Sequence, residues 1–451
     1  MQISFHGAAD CVTGSRHHVA IGGQQILLDC GMFQGYKVLR ERNWAPPPAA
    51  LLHADAVVLS HAHLDHSGWL PVLVKHGFRG PIYATPATRD LAEVLLLDSA
   101  HLQEEDARRA NRYGYSRHAK ALPLYTRSDA QRAIARIVPL APGRAAKVGA
   151  VGIHLSPVGH LLGACAVTLS HHGERLVFSG DLGRSNDLLM PPPQPLAEAD
   201  VMLIEATYGN RLHPQDDGAQ RLAQIIVDTV HRGGSVLLPA FAVGRAQALL
   251  LLLRRLKAAG AIPAELPLFL DSPMAVQATA LYRKHRRLLR VGAREAEQLA
   301  DGVHMVADAR QSMRLTRSRW PSVIISASGM ATGGRVLHHL KAMAPVEKHH
   351  IVFAGFQAGG SRGARLVAGA SEVKIHGEYV PVRARISQLE GLSGHADANE
   401  LIAWLRALHQ PPRQTFVVHG EPDASDTLRL RIKDELGWAV RVPQHGETVS
   451  A

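Results

Sequence analysis

The stretch His61-Ala62-His63-Leu64-Asp65-His66 constrains this chain more than any other feature. Three imidazoles and a carboxylate stand directly behind the apolar run Ala56-Val57-Val58-Leu59-Ser60, which reads as a buried β-strand. A strand ending in such a cluster throws its ligands into the crevice at the sheet edge. In an extended segment residues two apart share a side, so His61 and His63 can grip one metal ion together. The chain must then turn, as Ser67-Gly68 and the helical pattern of 69–76 indicate, and the turn carries Asp65 and His66 towards a second position. Imidazole plus carboxylate suits Zn²⁺ first, with Mn²⁺ or Fe²⁺ less suited. Histidine makes up only 27 of 451 residues, so three within six positions is far above the density of the chain.

A chain of 451 residues has room for two or more cores, because single cores stop growing at about 250–300 residues. Its 46% hydrophobic and 20% charged residues exclude the disordered class. No apolar stretch reaches the ~20 residues that span a bilayer, so no membrane partner is expected. The opening Met1-Gln2-Ile3-Ser4-Phe5 lacks a basic segment followed by an apolar core, so no signal peptide is expected either. Cys11, Cys30 and Cys165 are an odd, scattered set without a CxxC, which argues for a reducing cytoplasm. A net charge of +11 and a pI near 9.8 favour a polyanion, and nucleic acid ahead of a small neutral or cationic substrate.

Over the first ~180 residues short apolar strands alternate with turn clusters, and 25–29, 56–60 and 175–179 read as strands. The 86–109 segment reads as a helix that Thr85 can cap and Pro86 can open. Pro191-Pro192-Pro193-Gln194-Pro195 is a stiff, extended stretch before a strand at 201–204. From 206 the pattern becomes strand, Gly-rich turn, helix. The strands fall at 235–239, 267–270, 323–326 and 350–355. Their turns contain Gly244-Arg245, Asp271-Ser272-Pro273-Met274, Ala327-Ser328-Gly329-Met330 and Gln357-Ala358-Gly359-Gly360. Such units imply a parallel sheet flanked by helices, with its binding edge in the loops after the strands. Sparse, ligand-like residues return in His395, Asp397 and His419. The expected organisation is an outer α/β domain in two pieces, 1–205 and 371–451, with a second α/β domain inserted at 206–370.

One motif cannot hold two ions. His160, in Val158-Gly159-His160-Leu161-Leu162-Gly163, is a single imidazole, and a lone histidine is more often structural than a ligand. Asp181 follows Leu176-Val177-Phe178-Ser179-Gly180 at a strand's end and suits a bridge between two cations about 3.5–4 Å apart. Asp29 ends Ile26-Leu27-Leu28, where a carboxylate is better placed to orient ligands from behind than to bind metal. His419 closes Thr415-Phe416-Val417-Val418.

With these residues assembled, the chain resembles the metallo-β-lactamase fold and, within it, the β-CASP nucleases, the group of the mRNA 3′-end cleavage factor's bacterial and archaeal relatives. Asp29, the His61–His66 cluster, His160 and Asp181 match the four motifs of the parent fold in order. Glu205 in Glu205-Ala206-Thr207-Tyr208-Gly209 resembles motif A, His395 in Gly394-His395-Ala396-Asp397 motif B, and His419 motif C. The segments Pro239-Ala240-Phe241-Ala242-Val243-Gly244-Arg245, Leu270-Asp271-Ser272-Pro273-Met274 and Ala327-Ser328-Gly329-Met330 are similar to signatures of the inserted domain. The resemblance implies an αβ/βα sandwich for the outer domain and a nuclease site in the cleft between domains. It implies that His61, His63 and His160 hold one zinc, that Asp65, His66 and His419 hold the other, and that Asp181 bridges. The family's DNA-processing branch usually has an aliphatic residue at motif C, so His419 points to RNA. One stretch departs from the pattern. Gly360-Ser361-Arg362-Gly363-Ala364-Arg365 has Ala364 where relatives tend to carry Arg. That role falls to Arg362 or Arg365 or is absent, and the stretch reads equally as a phosphate cradle using Ser361 or as a plain Gly-rich helix entry. His376 reads as structural, lying outside the Ser393-Gly394-His395-Ala396-Asp397 context.

Hydrolysis of a phosphodiester needs a nucleophile, neutralisation of the phosphoryl oxygens and a proton for the leaving oxygen. Two zincs, with Mn²⁺ an alternative, would supply the first two needs. His395 is assigned as general acid, since an ordinary pKa of about 6.5 suits that task. Glu205 would orient it, and Asp65 counts with the catalytic group as well as with the ligands. The expected products carry 5′-phosphate and 3′-hydroxyl ends. Arg245, Arg335, Arg362 and Arg365, each near the start of an inserted-domain helix, are candidate phosphate contacts together with Ser361. A small-molecule hydrolase of thioesters or lactams would need neither the insertion nor the basic charge. A DNA nuclease is disfavoured by His419, and an inert RNA-binding scaffold by the complete ligand set. Single-stranded RNA is the expected partner, and a homodimer is compatible with the sequence.

Overall fold

The computed structural model describes residues 1–114, 118–214, 218–355, 357 and 359–451. Ala358, in the last of the expected Gly-rich turns, lies outside the described residues. Two compact units emerge. The first comprises residues 1–186, 191–212 and 395–451, and the second residues 187–190 and 213–394.

The first unit is built on two seven-stranded sheets. One runs in the order Thr448–Ser450, Gln2–Gly7, Arg16–Ile21, Gln24–Leu28, Ala56–Val58, Ile82–Ala84, Ile137–Pro139. The other runs Val440–Arg441, Gln414–Val418, Val201–Glu205, Glu174–Phe178, Cys165–His171, Val151–Pro157, Ala145–Val148. Alternate residues of each strand face inward, as the period of two dictates. Ile3, Phe5, Val19, Ile26 and Val58 from the first sheet meet Leu155, Val167, Leu176, Leu203 and Phe416 from the second in one core. Helices cover the sheets. The longest, Pro86–Tyr113, starts where expected, with Thr85 accepting a hydrogen bond from the Thr88 N–H, and runs one turn beyond 109 to a left-handed Gly114. Among the described residues no helix is long and apolar enough to cross a membrane.

Strand direction decides where the chemistry gathers. Glu174–Phe178, Val201–Glu205 and Gln414–Val418 are mutually parallel, so Asp181, Glu205 and His419 arrive at one edge. Gln24–Leu28 and Ala56–Val58 are likewise parallel and deliver Asp29 and the His61 cluster together. The 56–60 strand stops at Val58, because Ser60 turns its N–H onto Asp29 Oδ1 at 2.7 Å.

The second unit holds a six-stranded sheet in the order Val303–Met305, Leu268–Asp271, Val323–Ser326, Val236–Pro239, His350–Phe353, Arg385–Gln388, with every pairing parallel. Val236, Leu238, Val323 and Ile325 point into one helix-covered core and Leu237, Ile324, Ile351 and Phe353 into the other. The unit continues past residue 370 to Gly394 because Arg385–Gln388 adds an edge strand to this sheet. Asp271 ends its strand fully buried. Burial opposes its charge, yet hydrogen bonds from His339 (2.7 Å), Ser312 (2.6 Å) and Arg335 (2.8 Å) hold its carboxyl below the usual value.

Candidate metal centre

The His61 cluster turns as its sequence requires. After His63 the chain makes one helical turn, Leu64–Ser67, fixed by Ser67 Oγ donating to the Ala62 carbonyl at 2.8 Å. Backbone N–H groups of Ser15, Cys30 and Met32 donate to the carbonyls of Asp65, His66 and Leu64 at 2.7–2.8 Å. That approach demands Gly31, since a Cβ there would lie 1.6 Å from the Asp65 carbonyl oxygen.

Two donor sets result. His61 Nε2 and His160 Nε2 each lie 3.2 Å from His63 Nδ1. Asp181 Oδ2 is 3.6 Å from His61 Nε2 and 3.7 Å from His160 Nε2. In the other set His66 Nε2 and His419 Nε2 are 3.1 Å apart, and Asp65 Oδ2 is 3.6 Å from His419 Nε2 and 4.0 Å from His66 Nε2. Asp181 faces this set with its second oxygen, Oδ1 lying 3.3 Å from His66 Nε2. A tetrahedral zinc with bonds of 2.0–2.1 Å has donor–donor edges of about 3.3–3.4 Å. The nitrogens therefore stand at the spacing a small cation imposes, and the donor chemistry fits zinc.

The electrostatics fit as well. Burial and the neighbouring imidazoles push His61 well below the ordinary histidine value, and burial takes His63 down to about 4, so both rings offer lone pairs. Burial opposes the charge on Asp181, but His419, His66 and His61 hold its carboxyl well below the usual range. Asp65 is likewise held at about 2, against the cost of burial, by His419 and His66. Burial works against protonation of His66, yet Asp181 and Asp29 raise it well above its ordinary value. A buried centre that concentrates carboxylates this way calls for cations.

The ligands are held from behind. Asp29, at a positive φ of 58°, accepts hydrogen bonds from the Ser60 N–H and hydroxyl (2.7 and 2.8 Å) and faces His66 Nδ1 at 2.6 Å. Ser60 also contacts His61 Nδ1 at 3.0 Å, and Thr207 Oγ1 contacts His419 Nδ1 at 3.2 Å. Sequence reasoning missed Ser60 and Thr207 as orienting groups; their signal was adjacency, one beside His61 and the other two residues after Glu205. Glu205 is fully buried and accepts from the N–H groups of Leu182 (2.8 Å) and Thr207 (2.9 Å). Its Oε1 lies 3.6 Å from His395 Nδ1. The His395 ring is 21% exposed and packs 4.4 Å from His160, centroid to centroid. Burial alone would lower its pKa; Glu205 reverses the sign and raises it. Asp397 is not at the centre. Its carboxylate caps the helix Ala398–Leu405, accepting from the N–H groups of Asn399 and Glu400.

In the second unit the candidate phosphate contacts divide. Ser361 Oγ accepts from the Ala364 N–H as a helix cap. Arg335 pairs with Asp271 and donates to the Val306 and Ala307 carbonyls. Arg362 donates to the carbonyls of Lys374 and Ala331. Each of these groups is engaged in contacts within the second unit. Arg365 is exposed and Arg245 half-buried at the start of Arg245–Ala258.

Residues 19–259 match the metallo-beta-lactamase superfamily, 246–366 the Beta-Casp domain, and 379–443 the Zn-dependent metallo-hydrolase RNA specificity domain. Ribonuclease TTHA0252 of Thermus thermophilus is 38% identical, over 94% of each chain. The transcription termination factor FttA of Methanocaldococcus jannaschii is 31% identical, over 96% of this chain and 70% of its own. A solved protein of unknown function from Enterococcus faecalis V583 shares the fold, with a TM-score of 0.55 and 14% identity over 99% of both chains. Superfamily motifs, a two-set metal centre and a matching inserted domain converge: the chain belongs to the β-CASP family of the metallo-β-lactamase superfamily.

Proposed function

We propose that this metal-dependent hydrolase cleaves phosphodiester bonds of single-stranded RNA with two zinc ions, Mn²⁺ being an alternative, leaving 5′-phosphate and 3′-hydroxyl ends. The observation that carries the reading is Asp181, whose two oxygens face two separate histidine sets. His61, His63 and His160 would hold one ion and Asp65, His66 and His419 the other, with Asp181 shared. Bound there, the pair supplies Lewis acidity towards the phosphoryl oxygens and a water that ionises near neutral pH. His395 holds the proton for the leaving oxygen, and Glu205 keeps that ring oriented and charged. The RNA specificity match at 379–443 and the ribonuclease among the relatives favour RNA over DNA. Three cysteines without disulfides fit a cytoplasmic setting.

The test is to incubate zinc-loaded protein with end-labelled RNA and DNA oligonucleotides of one sequence. RNA cut much faster than DNA, with close to two zincs by elemental analysis, is expected. Equal rates would reduce the reading to a general nuclease, and an active protein free of metal would end it. Sedimentation of the same sample reports whether it acts as a homodimer.

A further inference from the structure

The second unit carries a basic stripe that the metal centre does not use. The helix Ala309–Thr316 is capped by Asp308 and buries Ser312 and Leu315 against the sheet's helix-covered face. Arg310, Met313, Arg314 and Arg317 recur at i, i+3, i+4 and i+7 and so share its outward face. Arg319 and Trp320 follow, and Trp320 is 81% exposed, the most exposed large apolar side chain among the described residues. None of the four arginines makes a side-chain hydrogen bond or ion pair among the described residues, unlike Arg255 or Arg335 in the same unit.

Ordinary surface chemistry does not account for this. The helix dipole favours cations in the last turn, which explains Arg314 and Arg317, but it disfavours Arg310 in the first. Three unpaired guanidiniums on one side of a short helix, with a fourth at Arg319 just beyond it, repel one another. Trp320 is not a loose end: its carbonyl accepts from Ser235 Oγ at 3.3 Å, its N–H donates to Ser318 Oγ at 3.3 Å, and Pro321 follows. An exposed indole on an anchored stretch of backbone, close in sequence to a cation row, is the combination that binds a single strand, with guanidiniums on phosphates and a base on the ring. From Arg310 to Arg317 the helix advances about 10 Å, the reach of about three phosphates at stacked-strand spacing.

We propose that Arg310, Arg314, Arg317 and Trp320 form a second RNA-binding surface, an exosite that favours long single strands over short ones. The proposal rests on the ribonuclease reading and adds to it a length preference, because the metal centre belongs to the other unit. The row is part of the +11 charge of the chain and is complementary to a phosphate backbone, and the indole face, which suits a stacked base, commits the surface to single-stranded RNA.

The experiment compares the zinc-loaded full chain with its Arg314→Ala/Arg317→Ala and Trp320→Ala variants on RNAs of about 6 and about 40 nucleotides. The double variant is expected to raise KM for the long RNA about tenfold and to flatten the salt slope of its affinity by about 1.4. The kcat and the short-RNA kinetics stay unchanged. Trp320→Ala is expected to raise the long-RNA KM several-fold, and Trp320→Phe, which keeps a stacking face, to restore it. Long-RNA KM and slope unchanged in both variants, with the short RNA still cut, would overturn the exosite and leave the ribonuclease reading standing. If wild-type protein cuts neither RNA, the ribonuclease reading fails, and filter binding of the long RNA to the same variants decides the exosite. Variants that keep RNA affinity but lose binding to phosphatidylserine vesicles overturn it in favour of a membrane surface.

Discussion

Asp29 Oδ2 lies 2.6 Å from Nδ1 of His66, and this contact fixes which nitrogen of the ring faces the metal centre. The free Nε2 is thereby aimed at His419 and Asp181. Asp29→Asn removes the charge while keeping an acceptor for Ser60. It should weaken metal affinity in the His66 set by about 10–100-fold, with the His61, His63 and His160 set retained. Zinc release to a chelator should then separate into a fast and a slow phase. Equal loss of both ions would show that the two sets are not independent.

Arg335 is tied into the second unit by its contacts. It is the charged partner of fully buried Asp271, with His339 and Ser312 completing that carboxylate's hydrogen bonds. Arg335→Ala leaves a buried charge short of its cation and should destabilise the second unit by about 3 kcal/mol or more. The urea midpoint measures the loss. Short-RNA kinetics measured well below the transition should be nearly unchanged, and a variant that stays stable but binds RNA poorly would restore Arg335 to the substrate surface.

The line between legible and hidden residues has a physical basis. His61, Asp181 and His419 stood out in the sequence because each ends a short apolar run, and parallel strands bring such ends to one edge. Asp29 was legible for the same reason. Ser361 and Asp397 could not be sorted in sequence, because an oxygen suited to a phosphate or a metal is equally suited to the helix caps they make here. The edge strand Arg385–Gln388 was hidden, since its one fully apolar residue, Ile386, offers no period to read. Arg335 and Arg362 could not be sorted from Arg365 in sequence, because only the fold decides which carbonyls lie within reach.

His350 gives the second unit a pH dependence. Burial, then Arg232 and Arg385, lower its pKa from 6.5 to about 4, and the neutral ring contacts Ser387 Oγ at 2.8 Å. Between those values only the unfolded chain takes up the proton, so this contribution is complete above pH 6.5 and is lost as pH falls towards 4. It amounts to about 1–2 kcal/mol after allowing for partial solvation. His350→Gln keeps a hydrogen-bonding side chain but cannot titrate. The wild type should exceed the variant in urea-unfolding free energy at pH 7, and the gap should narrow by that amount near pH 4. A gap independent of pH would mean that the ring is not held neutral.

His395 and His419 should separate chemistry from metal binding. His395→Ala should cut turnover by about 10²–10⁴-fold with metal content intact, the range for losing a general acid. His419→Ala should lower occupancy of one ion instead. Glu205 sits behind His395, its Oε1 3.6 Å from Nδ1, and raises that ring's pKa against the effect of burial. A proton donor is active below its pKa, so activity should fall as pH rises through the His395 value. In Glu205→Gln the opposing carboxylate is gone, and the fall should move to lower pH with KM little changed. A purely structural role for Glu205 would lower stability and leave the profile where it was. Metal loss of equal size in the His395 and His419 variants would place both rings among the ligands and remove the proton donor from the scheme.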